Sequence, residues 1–171
     1  MATDIGESLV GSYLRYVVGC EVVVYNTHTP GAQGEIDVIG LRYGDPRAVW
    51  LCEVITHLQG TQYGGGYDGT VKKISEKITR ARAFAEKAFP GDTHHYEIWT
   101  PIAPSGIVTK FDQLAATYQS AKLDVSFVAN HDYTERVQRL LDHAKTGTKA
   151  TSEPAYRMLQ ILTHLRGQLD V

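Results

Sequence analysis

Two apolar, strand-like runs joined by a turn constrain this chain more than any other feature of its sequence. The first run extends from Gly34 to Leu41 and contains Asp37, and the second extends from Ala48 to His57 and contains Glu53. The turn between them carries Gly44-Asp45-Pro46. Two runs of this length around a Gly, Asp and Pro tip predict a pair of adjacent antiparallel strands.

Both carboxylates stand at positions typical of a core side chain. Because side chains alternate between the faces of a strand and paired strands lie about 5 Å apart, Asp37 and Glu53 can converge if the register allows it. A buried carboxylate is costly unless it meets a cation or a full set of hydrogen-bond donors. Two facing carboxylates favour a hard divalent metal, with Mg²⁺ preferred for oxygen ligands and Mn²⁺ as a substitute.

Composition is that of an ordinary globular protein and predicts one domain over residues 1–171. The chain is 43% hydrophobic and 21% charged, and its formal net charge of -2 argues neither for nor against nucleic acid, so any basic surface must be local. No apolar run approaches the ~20 residues of a membrane span and the start is not basic, which together predict a cytoplasmic protein. Cys20 and Cys52 match no metal spacing and are interpreted as buried free thiols, although one disulfide remains open.

Periodicity and turn signals predict an α/β sandwich with a mixed sheet, in the order α-β-β-β-α-β-α-β-α-α. The predicted helices cover 4–18, 70–88, 111–121 and 133–145, with a last helix from Pro154, and the predicted strands cover 21–25, 34–41, 48–57, 95–100 and 123–129. Asp4 and Glu7 fit a capping box, Gly19 a helix stop and Thr70 an N-cap. The glycine-rich segment 58–69 is interpreted as either a flexible connector or a loop that closes over substrate.

The element order and three short motifs resemble the PD-(D/E)xK nuclease superfamily. The motifs are Gly6-Glu7 on the first helix, Gly34-Glu35-Ile36-Asp37-Val38-Ile39 and Leu51-Cys52-Glu53-Val54, and they look most like the YraN-like and Holliday-junction-resolvase-like branches. The resemblance covers about residues 4–100. It implies a restriction-endonuclease-like αβββαβ core with a mixed central sheet flanked by helices, within a core of about 4–129 and a C-terminal helical extension over 132–171.

The resemblance also implies roles for individual residues. Asp37 would be the first metal ligand and Glu53 the second, with the main-chain carbonyl of Val54 as a further ligand and Glu7 also facing the metal. Such a site would hold Mg²⁺ (or Mn²⁺) and hydrolyse phosphodiester bonds. The implied partner is nucleic acid, in particular DNA, and relatives of this kind often act as homodimers.

One position departs from the superfamily pattern. The motif lysine should follow two residues after the glutamate, where this chain has Ile55, and an isoleucine can neither stabilise developing charge nor help to deprotonate water. Lys77, and after it Lys73, could supply the missing ammonium from the next helix, with His57 and Gln59 as weaker substitutes. The chain is therefore either a nuclease with an atypical lysine or a catalytically degenerate module that binds nucleic acid or a protein partner.

Structural interpretations of the same residues also stay open. Asp37 and Glu53 could pair with Arg42 or Arg47 at a strand edge. Glu7 could serve only as a helix cap. The remaining basic and aromatic side chains are typical of a solvated face or of simple packing, unless they border the carboxylates; they are Lys72, Lys73, Lys77, Arg80, Arg82, Lys87, Arg136, Arg139, Lys145, Lys149, Tyr63 and Tyr67.

Overall fold

A computed structural model describes residues 4–29, 34–58 and 66–165 and shows five strands and five helices in these ranges. The helices are α1 (Ile5–Tyr13), which continues as a π-helical turn over Leu14–Val18, α2 (Gly66–Ala88), α3 (Ser105–Tyr118), α4 (Asn130–Thr146) and α5 (Pro154–His164). The strands are β1 (Val22–His28), β2 (Glu35–Arg42), β3 (Ala48–Val54), β4 (Thr93–Thr100) and β5 (Leu123–Ala129).

The strands form one mixed sheet in the order β1-β2-β3-β4-β5. The first three strands make an antiparallel meander, whereas β3 pairs with β4 and β4 with β5 in parallel. Parallel neighbours need crossover connections, which α2 and α3 supply. The predicted element order and the mixed α/β sheet flanked by helices are thus confirmed.

Each face of the sheet carries its own apolar core. One core lies under α2 and α3, and the other lies under α1, α4 and α5. The first core contains Leu51, Ile55, Ile74, Ile78, Ala81, Ile98 and Phe111, and the second contains Val10, Tyr13, Trp50, Cys52, Trp99, Leu140 and Tyr156. Cys20 and Cys52 are buried and free, as predicted.

The residues that cap the two ends of the first helix are the ones predicted from the sequence. Asp4 accepts a hydrogen bond from the Gly6 amide at 2.8 Å, and Glu7 accepts one from the Asp4 amide at 3.1 Å, which completes the capping box. Gly19 ends the π-helical turn in a left-handed conformation with φ of 84°. That conformation is accessible to glycine without strain, so the predicted stop is confirmed.

Several predicted boundaries are wrong, including the starts of β4 at Thr93 and of α4 at Asn130 and the end of α3 at Tyr118. β1 does not end before Asn26 but continues to His28, because pairing with β2 outweighs the turn preference of asparagine. Helix α3 begins at Ser105 directly after Pro104, six residues before the predicted start at Phe111. β3 ends at Val54, so His57 lies outside the strand.

Thr70 is not the N-cap of the second long helix. Helix α2 already begins at Gly66, which places Thr70 inside it, with the hydroxyl donating to the Gly66 carbonyl at 2.9 Å. Four residues of the predicted glycine-rich loop are therefore helical. Gln59, a candidate substitute for the missing lysine, and Tyr63 lie outside the described residues.

The C-terminal helices pack on the sheet face opposite α2. Arg136 of α4 donates to Glu97 of β4 at 2.8 Å, and its guanidinium lies 4.9 Å from the Trp99 ring and 5.4 Å from the Tyr13 ring. Glu97 is 5% exposed, so this ion pair holds α4 against β4 at a buried position. The described helices include none long and apolar enough to cross a bilayer.

Replacing Arg136 therefore tests how firmly the C-terminal helices are attached. We expect Arg136→Met to lower the free energy of unfolding by about 2 kcal/mol, because Glu97 is left buried without a counter-charge. Arg139→Met is the matched control, since Arg139 pairs with Glu135 where both side chains are half exposed, and it should cost below about 0.5 kcal/mol. Equal losses in urea denaturation would show that the Arg136 contact does not fasten the helix.

Candidate metal centre

The β2–β3 register places the two predicted acids opposite each other. Val38 pairs with Cys52, so the same register continued by one residue sets Asp37 across from Glu53. Residues directly opposite in an antiparallel pair point to the same face of the sheet. Glu53 is 0% exposed and Asp37 is half-buried. The convergence expected from the alternation of the two strands is what the structure shows.

Asp37 is a carboxylate whose surroundings disfavour its charge. Its Oδ2 accepts a hydrogen bond of 2.7 Å from the Val54 amide, which stabilises the ionised form. Burial, followed by the nearby Glu53 carboxylate, nevertheless raises the pKa of Asp37 to about 6. The other Asp37 oxygen accepts no hydrogen bond from the described residues. A cation between the two acids would relieve this repulsion.

Glu53 is held by two cations from α2. Its Oε2 accepts a hydrogen bond from Lys77, and its Oε1 accepts one from Arg80 at 3.2 Å. The two cations are three residues apart and so share a helix face. Burial raises the pKa of Glu53, and the charges of Lys77 and Arg80 oppose that rise. The buried stripe of α2, formed by Ile74, Ile78, Ala81 and Ala85, packs on the sheet and fixes where these cations lie.

Arg80 belongs to this cluster although the sequence reasoning did not assign it to the site. Its guanidinium donates to the Glu35 carbonyl at 3.1 Å as well as to Glu53. Gly34 lies against it, and a Cβ at that position would come within 2.6 Å of Arg80 Nη1. The signal in the sequence was the spacing of Arg80, three residues after Lys77 on the flank of the apolar stripe.

Tyr96 is a second residue that the sequence did not single out. Its side chain is 1% exposed, and its hydroxyl has no hydrogen-bond partner among the described residues. Burial and the negative charge of Glu53 raise the pKa of Tyr96 well above its ordinary value. A buried hydroxyl beside the acidic pair was not predictable, because its neighbours come from β3 and α2.

The residues considered as substitutes for the missing lysine lie in different surroundings. Ile55, at the motif position, is 5% exposed in the core under α2, and its amide donates to the Trp99 carbonyl at 2.8 Å. His57 is exposed beyond the end of β3. Lys73 is exposed one turn before Lys77. Of these candidates in the described part of the chain, Lys77 is the one that contacts an acid of the pair.

Glu7 lies near the pair but is engaged in other contacts. The same Oε2 that caps α1 also accepts a hydrogen bond from Asn26 at 3.2 Å. Its charge contributes to the raised pKa of Asp37. The three acids Glu7, Asp37 and Glu53 do not form a group with all ligand atoms within 4.8 Å of one another; in the described ranges such a group occurs at His131, Asp132 and Glu135, which are exposed.

The alternative prediction, that Asp37 and Glu53 pair with Arg42 or Arg47, is wrong. Arg47 instead pairs with Asp92, its Nε donating to Oδ2 at 2.7 Å, and Arg42 lies over the Trp50 ring at 5.0 Å. Three basic residues of α4, Arg136, Arg139 and Lys145, form ion pairs within the protein, with Glu97, Glu135 and Asp142 respectively. The ring of Tyr67 lies against Gly106 of α3.

The donor set fits a hard divalent cation. Such ions take carboxylate and carbonyl oxygens, and the pair offers Asp37 Oδ1 beside Glu53. The N–H and C=O of one strand residue point to the same side, so Val54, whose N–H meets Asp37, turns its carbonyl towards the β2 side as well. Each Glu53 oxygen already accepts a hydrogen bond from a cation, so an ion at such a site would compete with Lys77 and Arg80 for the charge of Glu53.

No known family model, curated protein or solved structure matches the chain.

Proposed function

We propose that the protein is a metal-dependent nuclease that hydrolyses phosphodiester bonds in DNA, built on a restriction-endonuclease-like core. The observation that carries the proposal is the meeting of Asp37 and Glu53 on neighbouring strands under the cations of α2. The raised pKa of Asp37 adds support, because perturbed acids on a shared face are typical of functional sites. The order α1, three-strand meander, α2 and β4 is the order that the resemblance to the superfamily implies.

Each residue has a distinct part in this proposal. Asp37, Glu53 and the Val54 carbonyl would hold Mg²⁺ (or Mn²⁺), which when bound supplies a polarised phosphate and an acidified water. Lys77 is 29% exposed, so its ammonium can reach a phosphate oxygen at the surface and stabilise negative charge there. Arg80 orients Glu53, because its guanidinium is itself fixed by a hydrogen bond to the Glu35 carbonyl of β2.

One observation favours the alternative, a catalytically degenerate module that binds nucleic acid or a protein partner. Both oxygens of Glu53 already accept hydrogen bonds from cations, so the carboxylate is compensated without a metal ion. In this case Lys77 and Arg80 would serve the fold, and the exposed lysines of α2, Lys72 and Lys73, would meet the partner.

Cleavage assays with matched lysine variants separate the two functions. Plasmid and branched DNA are incubated with the protein and Mg²⁺ or Mn²⁺. Lys77→Met should lower metal-dependent cleavage by about 100-fold, because the ammonium that stabilises developing charge is removed. Lys73→Met, one turn away and exposed, should retain most of the activity. The nuclease proposal fails if the purified protein cuts neither substrate with either metal.

A mobility-shift assay on the same DNA tests the alternative function independently. DNA binding without cleavage, with a lower affinity in Lys72→Met and Lys73→Met, would support the binding module. Chelation of the metal distinguishes the two as well, since it should stop cleavage but leave electrostatic binding intact.

A further inference from the structure

The two cations that hold Glu53 differ in how firmly they are fixed. Arg80 is 20% exposed, contacts the Glu35 carbonyl in addition to Glu53, and has Gly34 packed against its guanidinium. Lys77 is 29% exposed and reaches Glu53 through a flexible four-carbon side chain. If one donor leaves Glu53, the structure favours Lys77 as the one that moves.

Lys77 also acts on the second acid of the pair. Its ammonium is among the charges that stabilise ionised Asp37, and it donates a hydrogen bond to Glu53. One compact positive charge therefore compensates both carboxylates. A lysine ammonium is a point charge with strong hydration, which is the kind of group that a small divalent ion can replace.

We propose that Lys77 is a tethered competitor for the divalent cation: its ammonium occupies Glu53 in the metal-free protein, and metal binding displaces it while Arg80 stays in place. The inference rests on the proposed function, because it concerns the same acidic pair. It adds that the chain weakens its own metal affinity through a residue on α2.

Mn²⁺ titration without nucleic acid tests this inference apart from activity. MnCl₂ is titrated into the full chain and followed by electron paramagnetic resonance of free Mn²⁺ and by calorimetry. We expect Lys77→Met to bind Mn²⁺ about tenfold more tightly than the unmodified protein, because a charge-assisted hydrogen bond no longer opposes the ion. Lys73→Met should bind as the unmodified protein does, and Asp37→Asn should remove binding in both backgrounds.

Lys77→Gln provides a second variant in case the methionine disturbs folding. Glutamine keeps an N–H donor for Glu53 but carries no charge, so it should also tighten Mn²⁺ binding, whereas Lys77→Arg should not. Circular dichroism spectra and thermal melting confirm that each variant is folded before it is titrated.

The possible results are distinguishable. Tighter binding in Lys77→Met and Lys77→Gln, or binding that appears only in these variants, supports the competitor role. Equal affinity in all lysine variants, together with loss in Asp37→Asn, overturns the inference and leaves the proposed metal site standing. Absence of Mn²⁺ binding in every variant overturns the metal site itself.

Discussion

Asp37→Asn is expected to abolish metal-dependent cleavage, by about 1000-fold or more, and to make the protein more stable at neutral pH. Cleavage is lost because the amide cannot replace an anionic ligand. Stability rises because the substitution removes a negative charge that burial and the Glu53 carboxylate disfavour. We expect a gain of about 1–2 kcal/mol in the free energy of unfolding. Loss of function combined with a gain in stability is typical of functional sites.

The pH dependence of this gain is fixed by the direction of the pKa shift. The pKa of Asp37 rises from 3.8 to about 6 in the folded state, so between these values the folded protein binds more protons than the unfolded chain. The folded state favours neutral Asp37, so this contribution to the free energy of unfolding is present at low pH. It is lost as the pH rises through 6 and Asp37 ionises. The difference between Asp37→Asn and the unmodified protein should grow over that window and stay constant above it.

Chemical denaturation at a series of pH values measures the effect. Asp45→Asn, in the exposed turn between β2 and β3, is the matched control and should change neither stability nor its pH dependence. Addition of Mn²⁺ should stabilise the unmodified protein but not Asp37→Asn. If Asp37→Asn is less stable than the unmodified protein at pH 7, the electrostatic account of the acidic pair is wrong.

Glu53→Ala is expected to lower the free energy of unfolding by about 3 kcal/mol. Glu53 is 0% exposed and compensates two cations, so its removal leaves Lys77 and Arg80 close together and partly buried without the carboxylate that they share. Arg80 cannot withdraw to solvent as readily as Lys77 because it is fixed between Gly34 and Glu35. Urea denaturation measures the loss.

Glu76→Ala is the matched control for this prediction. Glu76 lies on the exposed side of the same helix, and its removal should change stability by below about 0.5 kcal/mol. Adding Lys77→Met to Glu53→Ala should recover part of the lost stability, because it removes the repulsion between the two neighbouring cations. A loss no larger than that of Glu76→Ala would show that Glu53 is dispensable for the fold.

The part of the site that lies within one hairpin was predictable from the sequence. Period-two alternation places Asp37 and Glu53 on defined faces, and a short hairpin allows few registers. The position of Lys77 followed in the same way from the apolar stripe of α2, which must face the sheet. These local rules were sufficient because each concerns neighbouring elements with strong periodicity.

The rest of the site depends on contacts between distant segments. Arg80 meets Glu35 and Gly34 across 45 or more residues, and the burial of Tyr96 depends on the β3–β4 register. Ile55 stands where the motif has a lysine, and in the structure it fills the core under α2. Residue spacing alone cannot reveal such pairings, because it contains no information on which helix covers which strand.

The division of the apolar side chains between two faces of the sheet has a practical consequence for spectroscopy. The chain has two tryptophans, Trp50 and Trp99, and both belong to the core under α1, α4 and α5. Their emission should follow the docking of the C-terminal helices and respond little to ions or ligands bound beside α2. Intrinsic fluorescence thus reports the integrity of one half of the molecule, and a dye or metal signal is needed for the other.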